Sequence, residues 1–280
     1  MSKSKSITKN IPLQPYFDIT NKYEIGIDEC ARGPLFGRLY VAATILPKDD
    51  SFCHSEMKDS KKIHSIKKMR ELSDYIKQHA ISWHIHYIEH DVIDHINIRQ
   101  AVLQGMRECV KQILLKMGSG VNDYGNIHRC SFETARRSNE QLSYRQRFEK
   151  TPQRGVPFQM FGGINDYFIV VDGNDFLPYI YFNETENELI TMPHITVEKG
   201  DNTYSFIAAA SILAKNAHDE YILELCEKYP ELKTRYFLHE NVGYGTKKHL
   251  DGIREHGITQ WHRKSFGICK NAPYSPIICP

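Results

Sequence analysis

Strong net charge is missing from this 280-residue chain: 36 Lys and Arg against 34 Asp and Glu leave a formal +2. Bulk attraction to a polyanion is therefore no guide to function, and any nucleic-acid contact must come from local patches. Long apolar runs are missing too. No stretch of about 18 apolar residues occurs, and the opening MSKSKSITKN has no apolar centre of the signal-peptide kind. No membrane association is expected, and the protein is expected to be soluble and cytoplasmic. The seven cysteines contain no C-x-x-C pair, which speaks against a disulfide framework and for a reducing compartment. There is no internal repeat. What remains is ordinary: 41% hydrophobic and 25% charged residues, suited to one main globular domain, expected to act as a monomer.

Periodicity gives the element order. YEIGIDEC (23–30) alternates Tyr23, Ile25 and Ile27 with Glu24, Gly26 and Asp28, a strand pattern. GRLYVAATIL (37–46) predicts a second strand, joined closely enough to pair antiparallel. A helix over 64–78, a third strand over 80–89 and a long amphipathic helix over 98–117 follow. From 118 to about 165 periodicity vanishes. Arg129, Arg136, Arg137, Arg145, Arg147 and Arg154 lie there among aromatics such as Tyr124 and Phe148, as an irregular insertion that either grips nucleic acid or is a plain surface loop. YFIVV (167–171) reads as a strand buried on both faces, with further strand material near 179–182 and 193–198. Helices over 203–228 and 247–256 precede a Pro-containing tail. This order predicts an α/β fold with a mixed sheet. The expected divisions are a flexible segment 1–21, a domain 22–267 and a tail 268–280.

Carboxylates gather at predicted strand ends. Asp28 and Glu29 close the first strand, and as neighbours they point to opposite faces unless the strand end is irregular, as Gly33-Pro34 suggests. Asp172 sits at the end of the buried strand, the edge where open α/β sheets bind ligands. Two acidic strand ends suggest a hard cation, Mg²⁺ or Mn²⁺, and no tidy His/Cys spacing favours zinc. Plainer readings stay open: Asp172-Gly173-Asn174 as a turn, Asp201 as a helix N-cap, His84 and His86 as one polar strand face, Lys61-Lys62 as a solvated turn. Gly243-Tyr244-Gly245-Thr246 is either a turn with a capping Thr or a loop presenting a ring to a sugar.

GIDECARGPLFG (26–37) resembles the opening signature of type 2 ribonucleases H, G-I-D-E-x-G-R-G-P-x-x-G. The similarity continues in order through DSKK (59–62), INIRQAVLQGMR (96–107), VVDGN (170–174), EKGD (198–201), IAAASILAK (207–215), GYGTKKHL (243–250) and HRKSF (262–266). Type 3 enzymes carry Thr where this chain has Arg32 and have an extra N-terminal domain, so type 2 is the better match.

The resemblance implies a ribonuclease H-like mixed β-sheet flanked by helices, with a helical C-terminal region. It implies Asp28, Glu29, Asp172 and Asp201 as catalytic residues and ligands of two Mg²⁺ or Mn²⁺ ions, and cleavage of RNA–DNA hybrids and of ribonucleotide-containing duplex DNA to 5′-phosphate and 3′-hydroxyl ends. A Gly-Arg-Gly loop and a Tyr read the sugar in that family; Ala31, Arg32, Gly33 and Tyr244 hold the matching positions, with Ala31 departing from Gly. If its φ is positive, Ala31 costs about 1–2 kcal/mol; if negative, little. Lys61, Asn97, Lys199, Ser211, His262, Arg263 and Ser265 fall within matching motifs and are expected to line the substrate groove.

Overall fold

The computed structural model describes residues 12–119, 166–183 and 187–278. Its centre is a five-stranded mixed sheet. β1 (Tyr23–Cys30) pairs antiparallel with β2 (Leu39–Ile45), and β2 antiparallel with β3 (Ser82–Ile88). On its other side β1 pairs parallel with β4 (Tyr167–Asp172), which pairs parallel with β7 (His194–Val197), giving the order β3-β2-β1-β4-β7. Between β4 and β7 the chain makes a two-stranded ribbon, β5 (Ile180–Asn183) with β6 (Glu188–Thr191).

Helices cover both faces, so the central strands bury residues on each side and lose the polar half of the alternation. α1 (Ile66–His79) joins β2 to β3. α2 (His90–Ile96) and α3 (Ile98–Ser119) follow β3. Ala101, Met106, Cys109, Val110 and Ile113 of α3 pack against Ile25, Ile27, Val41 and Val171. α4 (Ser205–Lys228) lies with α1 on the opposite face against Ala42 and Val170. The run Ala208, Ala209, Ala210 lets α4 come close, and Gly26 is required for it, because a Cβ there would lie 2.9 Å from the Phe206 carbonyl. Thr44 ties the same turn down through Oγ1, which donates to Phe206 O at 2.7 Å. α5 (Glu231–Tyr236), α6 (Leu238–Asn241) and α7 (Lys247–His256) form the helical C-terminal region.

Several expectations need correction. The leading segment is held from Gln14 onward: Gln14 N donates to Thr203 O, Ser205 N donates to Gln14 O, and Phe17 stacks on Phe168. The buried Glu24 carboxylate fixes the same stretch by accepting from the amides of Phe17 and Asp18 at 2.8 and 2.7 Å. The tail after 267 is held too, with Ile277 buried and bonded through its backbone to Gln260. α3 runs to Ser119, two residues into the expected insertion, and the rest of that insertion, with its arginines, lies outside the described residues. Among the described residues no helix is long and apolar enough to cross a membrane.

Candidate active site at the carboxyl ends of β1 and β4

The register that sets Ile27 beside Val171 leaves Asp28 and Asp172 side by side at the ends of adjacent parallel strands. Both share the face of Gly26 and Val170, toward α4. A 3₁₀ turn, Gly200–Asn202, directly after β7 brings in the third acid, Asp201. Oxygens of Asp28, Asp172 and Asp201 all lie within 4.8 Å of one another. Asp201 is not the cap of α4, a position held by Tyr204. Asp172 does more than shape a turn: its Oδ1 accepts from Gly200 N at 2.6 Å, locking β4 to the turn that carries Asp201.

Glu29 stands apart from this trio. β1 keeps its pairing with β2 through Cys30, so the strand alternation survives at Glu29, which adds no oxygen to the 4.8 Å group. Its Oε1 meets Arg32 Nη1 at 3.2 Å instead. Its charge still reaches the pocket and helps raise Asp28.

Burial is the leading cause that pushes Asp28 well above the usual carboxylate range, followed by the charges of Glu29 and Asp172. Burial, then Asp201, also raises Asp172, against the pull of the Gly200 amide. Burial raises Glu29, with Arg32 opposing. The only cation bonded to the trio among the described residues is Lys61, whose Nζ lies 3.5 Å from Asp201 Oδ2 on a side chain 79% exposed. Burial alone would lower Lys61, but Asp201, Asp59 and Asp28 outweigh it and raise it. Three crowded, partly desolvated carboxylates with one loosely placed ammonium fit a divalent cation, and an all-oxygen donor set fits a hard one. His84 and His86 sit over β3 with rings 6.3 Å apart and belong to no such ligand group among the described residues.

Supporting contacts surround the trio. Ser211, buried on α4, donates to Asp28 and shares a 2.9 Å hydroxyl contact with Ser60. Ser60, Lys61 and Lys62 form a 3₁₀ turn capped by Asp59, whose other oxygen accepts from Asn202 at 3.3 Å, so the basic turn docks on the acidic one. Asn97 and Lys199 are exposed with positive φ. Asn97 caps α3 through Gln100 N, and Lys199 precedes Gly200. Arg99, next to that cap, holds Asp175 of the loop after β4 at 2.6 Å.

The loop after β1 forms the adjoining wall. Ala31 has φ +75° and is buried, so the costly alternative for its alanine is the one realised. Gly33 lies beside Tyr244, where a Cβ would stand 3.7 Å from the ring. Tyr244 is 40% exposed, and burial of its other side is the main cause that lifts its hydroxyl to about 12. The turn reading of its loop is realised, since Thr246 caps α7 by accepting from His249 N. Gly243, at φ +88°, brings the loop so close that a Cβ would lie 2.8 Å from Phe36 O.

Two residues expected to line the groove do not. Arg263 is 0% exposed: Nε donates to Gly37 O, Nη1 to Arg32 O and Nη2 to Arg38 O, at 2.9, 3.2 and 3.0 Å. It braces the 31–38 loop from behind. His262 is equally buried, with Nδ1 bonded to Thr259 and Nε2 to His249. Ser265 is exposed but committed to Asp94 through both its amide and its hydroxyl. Reading the sequence missed Asp94, which accepts from the Lys264 and Ser265 amides, and His249, although His249 lies inside a motif quoted above. Nothing in local spacing distinguishes an acid that holds a loop from one in solvent.

A family model described as Ribonuclease HII matches residues 25–140 and 160–269. The chain is 35% identical to the Ribonuclease HII of Parabacteroides distasonis over 256 residues, 91% of this chain and 95% of that one. It is 34% identical to the Ribonuclease HII of Bacteroides thetaiotaomicron, covering 91% and 94%. Among solved structures, the ribonuclease H2 of Pyrococcus horikoshii superposes with TM-score 0.50 at 16% identity, covering 89% of this chain and 95% of that one. The RNase HII of Archaeoglobus fulgidus, solved with PCNA, superposes with TM-score 0.52 at 20% identity, covering 88% and 95%. These two likenesses concern the fold.

Proposed function

As a member of the ribonuclease HII family this chain is an endoribonuclease, and we propose that it hydrolyses the RNA strand of RNA–DNA hybrids and cuts 5′ to single ribonucleotides embedded in duplex DNA. The observation that carries the reading is the trio Asp28, Asp172 and Asp201, with oxygens within 4.8 Å of one another and, among the described residues, one exposed lysine bonded to them. Asp28, Asp172 and Asp201, with Glu29 beside them, would hold Mg²⁺ or Mn²⁺ ions, two of them in the working enzyme. When bound, such ions supply Lewis acidity toward the attacking water and the leaving 3′ oxygen of an in-line displacement.

The protein's own groups prepare that site. Ser211 and the Glu29 amide, the latter at 2.7 Å, hold Asp28, and the Gly200 amide holds Asp172, so the acids are oriented before substrate arrives. Backbone groups of Ala31, Arg32 and Gly33 are placed to meet the 2′-hydroxyl, the group that separates RNA from DNA. Tyr244, exposed beside Gly33, would pack on the neighbouring sugar, a role its partly exposed ring supports. Lys61, Asn97 and Lys199 would offer donors at the surface to flanking phosphates, while Ser265, bonded to Asp94, would act only by shaping its loop. The products carry 5′-phosphate and 3′-hydroxyl ends. The enzyme would act as a cytoplasmic monomer in DNA replication and in the repair of misincorporated ribonucleotides, with residues 22–267 as its catalytic domain.

The test is cleavage of a DNA duplex holding one ribonucleotide, beside an all-DNA duplex, with Mg²⁺ and with Mn²⁺. Cutting 5′ to the ribonucleotide is expected, with the Asp172→Asn rate lower by on the order of 10³-fold. Duplex binding without cutting in either ion would overturn the reading in favour of a silent nucleic-acid-binding protein.

A further inference from the structure

Tyr244 presents its ring outward, but its backbone is held from within by two buried histidines to which the chemistry above gives no part. His262 Nδ1 lies 2.9 Å from Thr259 N. A main-chain amide can only donate, so this nitrogen is the acceptor, and a neutral His262 carries its proton on Nε2. At the other end, His249 Nδ1 lies 2.9 Å from the Tyr244 carbonyl, which can only accept. His249 therefore carries its proton on Nδ1 and leaves Nε2 as an acceptor. The two Nε2 atoms face each other at 3.2 Å.

Only one arrangement of protons satisfies a neutral pair: Thr259 N–H to His262 Nδ1, His262 Nε2–H to His249 Nε2, and His249 Nδ1–H to Tyr244 O. Burial depresses both rings below the usual histidine range, which keeps the pair neutral. The Tyr244 carbonyl also accepts from Thr246 N at 2.8 Å, so both its lone pairs are filled. The remaining anchors reach the sugar-facing loop itself: Tyr244 N donates to Asn241 O, Leu35 N donates to Gly243 O, and Arg263 N donates to Leu35 O. The histidine pair is thus the one side-chain device acting directly on Tyr244's own carbonyl among the described hydrogen bonds.

We propose that His249, oriented by His262, is a positioning residue that sets the Tyr244 peptide, and through it the ring, for recognition of the junction between ribonucleotide and DNA. The inference rests on the sugar-packing role given to Tyr244 above. His249 and His262 touch no substrate.

The experiment compares His249→Asn, His249→Gln, His249→Leu and Tyr244→Ala. The readout is the ratio of cleavage at a single embedded ribonucleotide to cleavage of a uniform RNA–DNA hybrid, with a thermal melt of each variant. Asn places an amide N–H where Nδ1–H stands and keeps the bond to Tyr244, whereas Gln reaches His262 and abandons Tyr244. Losing one such hydrogen bond corresponds to about fivefold, so Gln and Leu are expected to lower the ratio by about that factor and Asn to keep it. Adding His249→Gln to Tyr244→Ala should then lower it no further. A folded His249→Gln with the wild-type ratio, while Tyr244→Ala lowers it, would overturn the positioning role alone. A Tyr244→Ala ratio equal to wild type would overturn the sugar-packing role and this inference with it.

Discussion

The acidic pocket and the wall formed by the 31–38 and Tyr244 loops adjoin each other, and they are built on opposite terms. In the pocket, charge is concentrated: Asp28, Asp172 and Asp201 converge, burial and mutual repulsion raise Asp28 and Asp172, and among the described residues a single exposed lysine is bonded to them. In the loop wall the buried polar side chains are partnered: Arg263 spends its guanidinium on three carbonyls, and His262 and His249 bond to each other and hand a hydrogen bond on to Tyr244. One region is strained until a cation arrives, and the other is complete beforehand. On the proposed reading the two have separable duties, chemistry for the pocket and choice of substrate for the wall.

If the wall is complete in itself, breaking its brace should cost more stability than any change in the pocket. Arg263→Ala leaves three carbonyls without their buried donor, and the expected loss is about 3–5 kcal/mol. Arg263→Lys should recover little of this, because an ammonium cannot span three carbonyls fanned around a planar fork. Urea unfolding would measure both. A loss under about 1 kcal/mol for the alanine variant would mean the loop is held by its backbone bonds alone.

The pocket predicts the opposite sign. A carboxyl raised in the fold contributes stability in full below its ordinary value near 3.8 and loses it as pH rises through the raised folded value. At pH 7 Asp28 therefore opposes folding of the metal-free protein. Asp28→Asn should raise Tm at pH 7 without metal, by about 1–3 kcal/mol in stability, and should leave it nearly unchanged at pH 3. Added Mg²⁺ should stabilise the wild type and much less the variant. A metal-free Asp28→Asn that melts below the wild type at pH 7 would show that the pocket is relieved by the protein itself.

How much of this could be read in advance followed from how local each cause was. β1 was legible to the residue because a period-two run fixes both its ends and its faces, and α7 because its capping Thr246 and its apolar stripe agree. α2 was missed: seven residues with Ile93 alone fully buried carry no periodicity. β6 was missed because its ribbon, with Leu189 largely exposed, has no buried face to pattern it. The acids were visible as a set, but that Glu29 bonds Arg32 and adds no oxygen to the 4.8 Å group is a fact of the folded strand end. Arg263 looked like a groove residue because HRKSF falls within a matching family motif. Three carbonyls from 32–38 make it a buried brace, and those lie more than 200 residues earlier in the chain.

Ala31 is the one place where the two regions' rules meet, and it gives the smallest effect. It stands between Glu29 and Arg32, with φ +75° and its methyl buried, where the family pattern has glycine. Left-handed geometry costs alanine about 1–2 kcal/mol, and glycine returns part of that through the greater freedom of its unfolded chain. Ala31→Gly should therefore stabilise the protein by about 1 kcal/mol at most. The larger consequence is local: removing the methyl frees the backbone for closer approach of a 2′-hydroxyl, so cleavage at a single embedded ribonucleotide should rise while the Mg²⁺ dependence of the reaction stays as it was. A rise in stability with unchanged cleavage would mean that the strain at Ala31 is borne without touching recognition. A shifted Mg²⁺ dependence would mean that the wall and the pocket are one unit after all, coupled through Glu29 and Arg32.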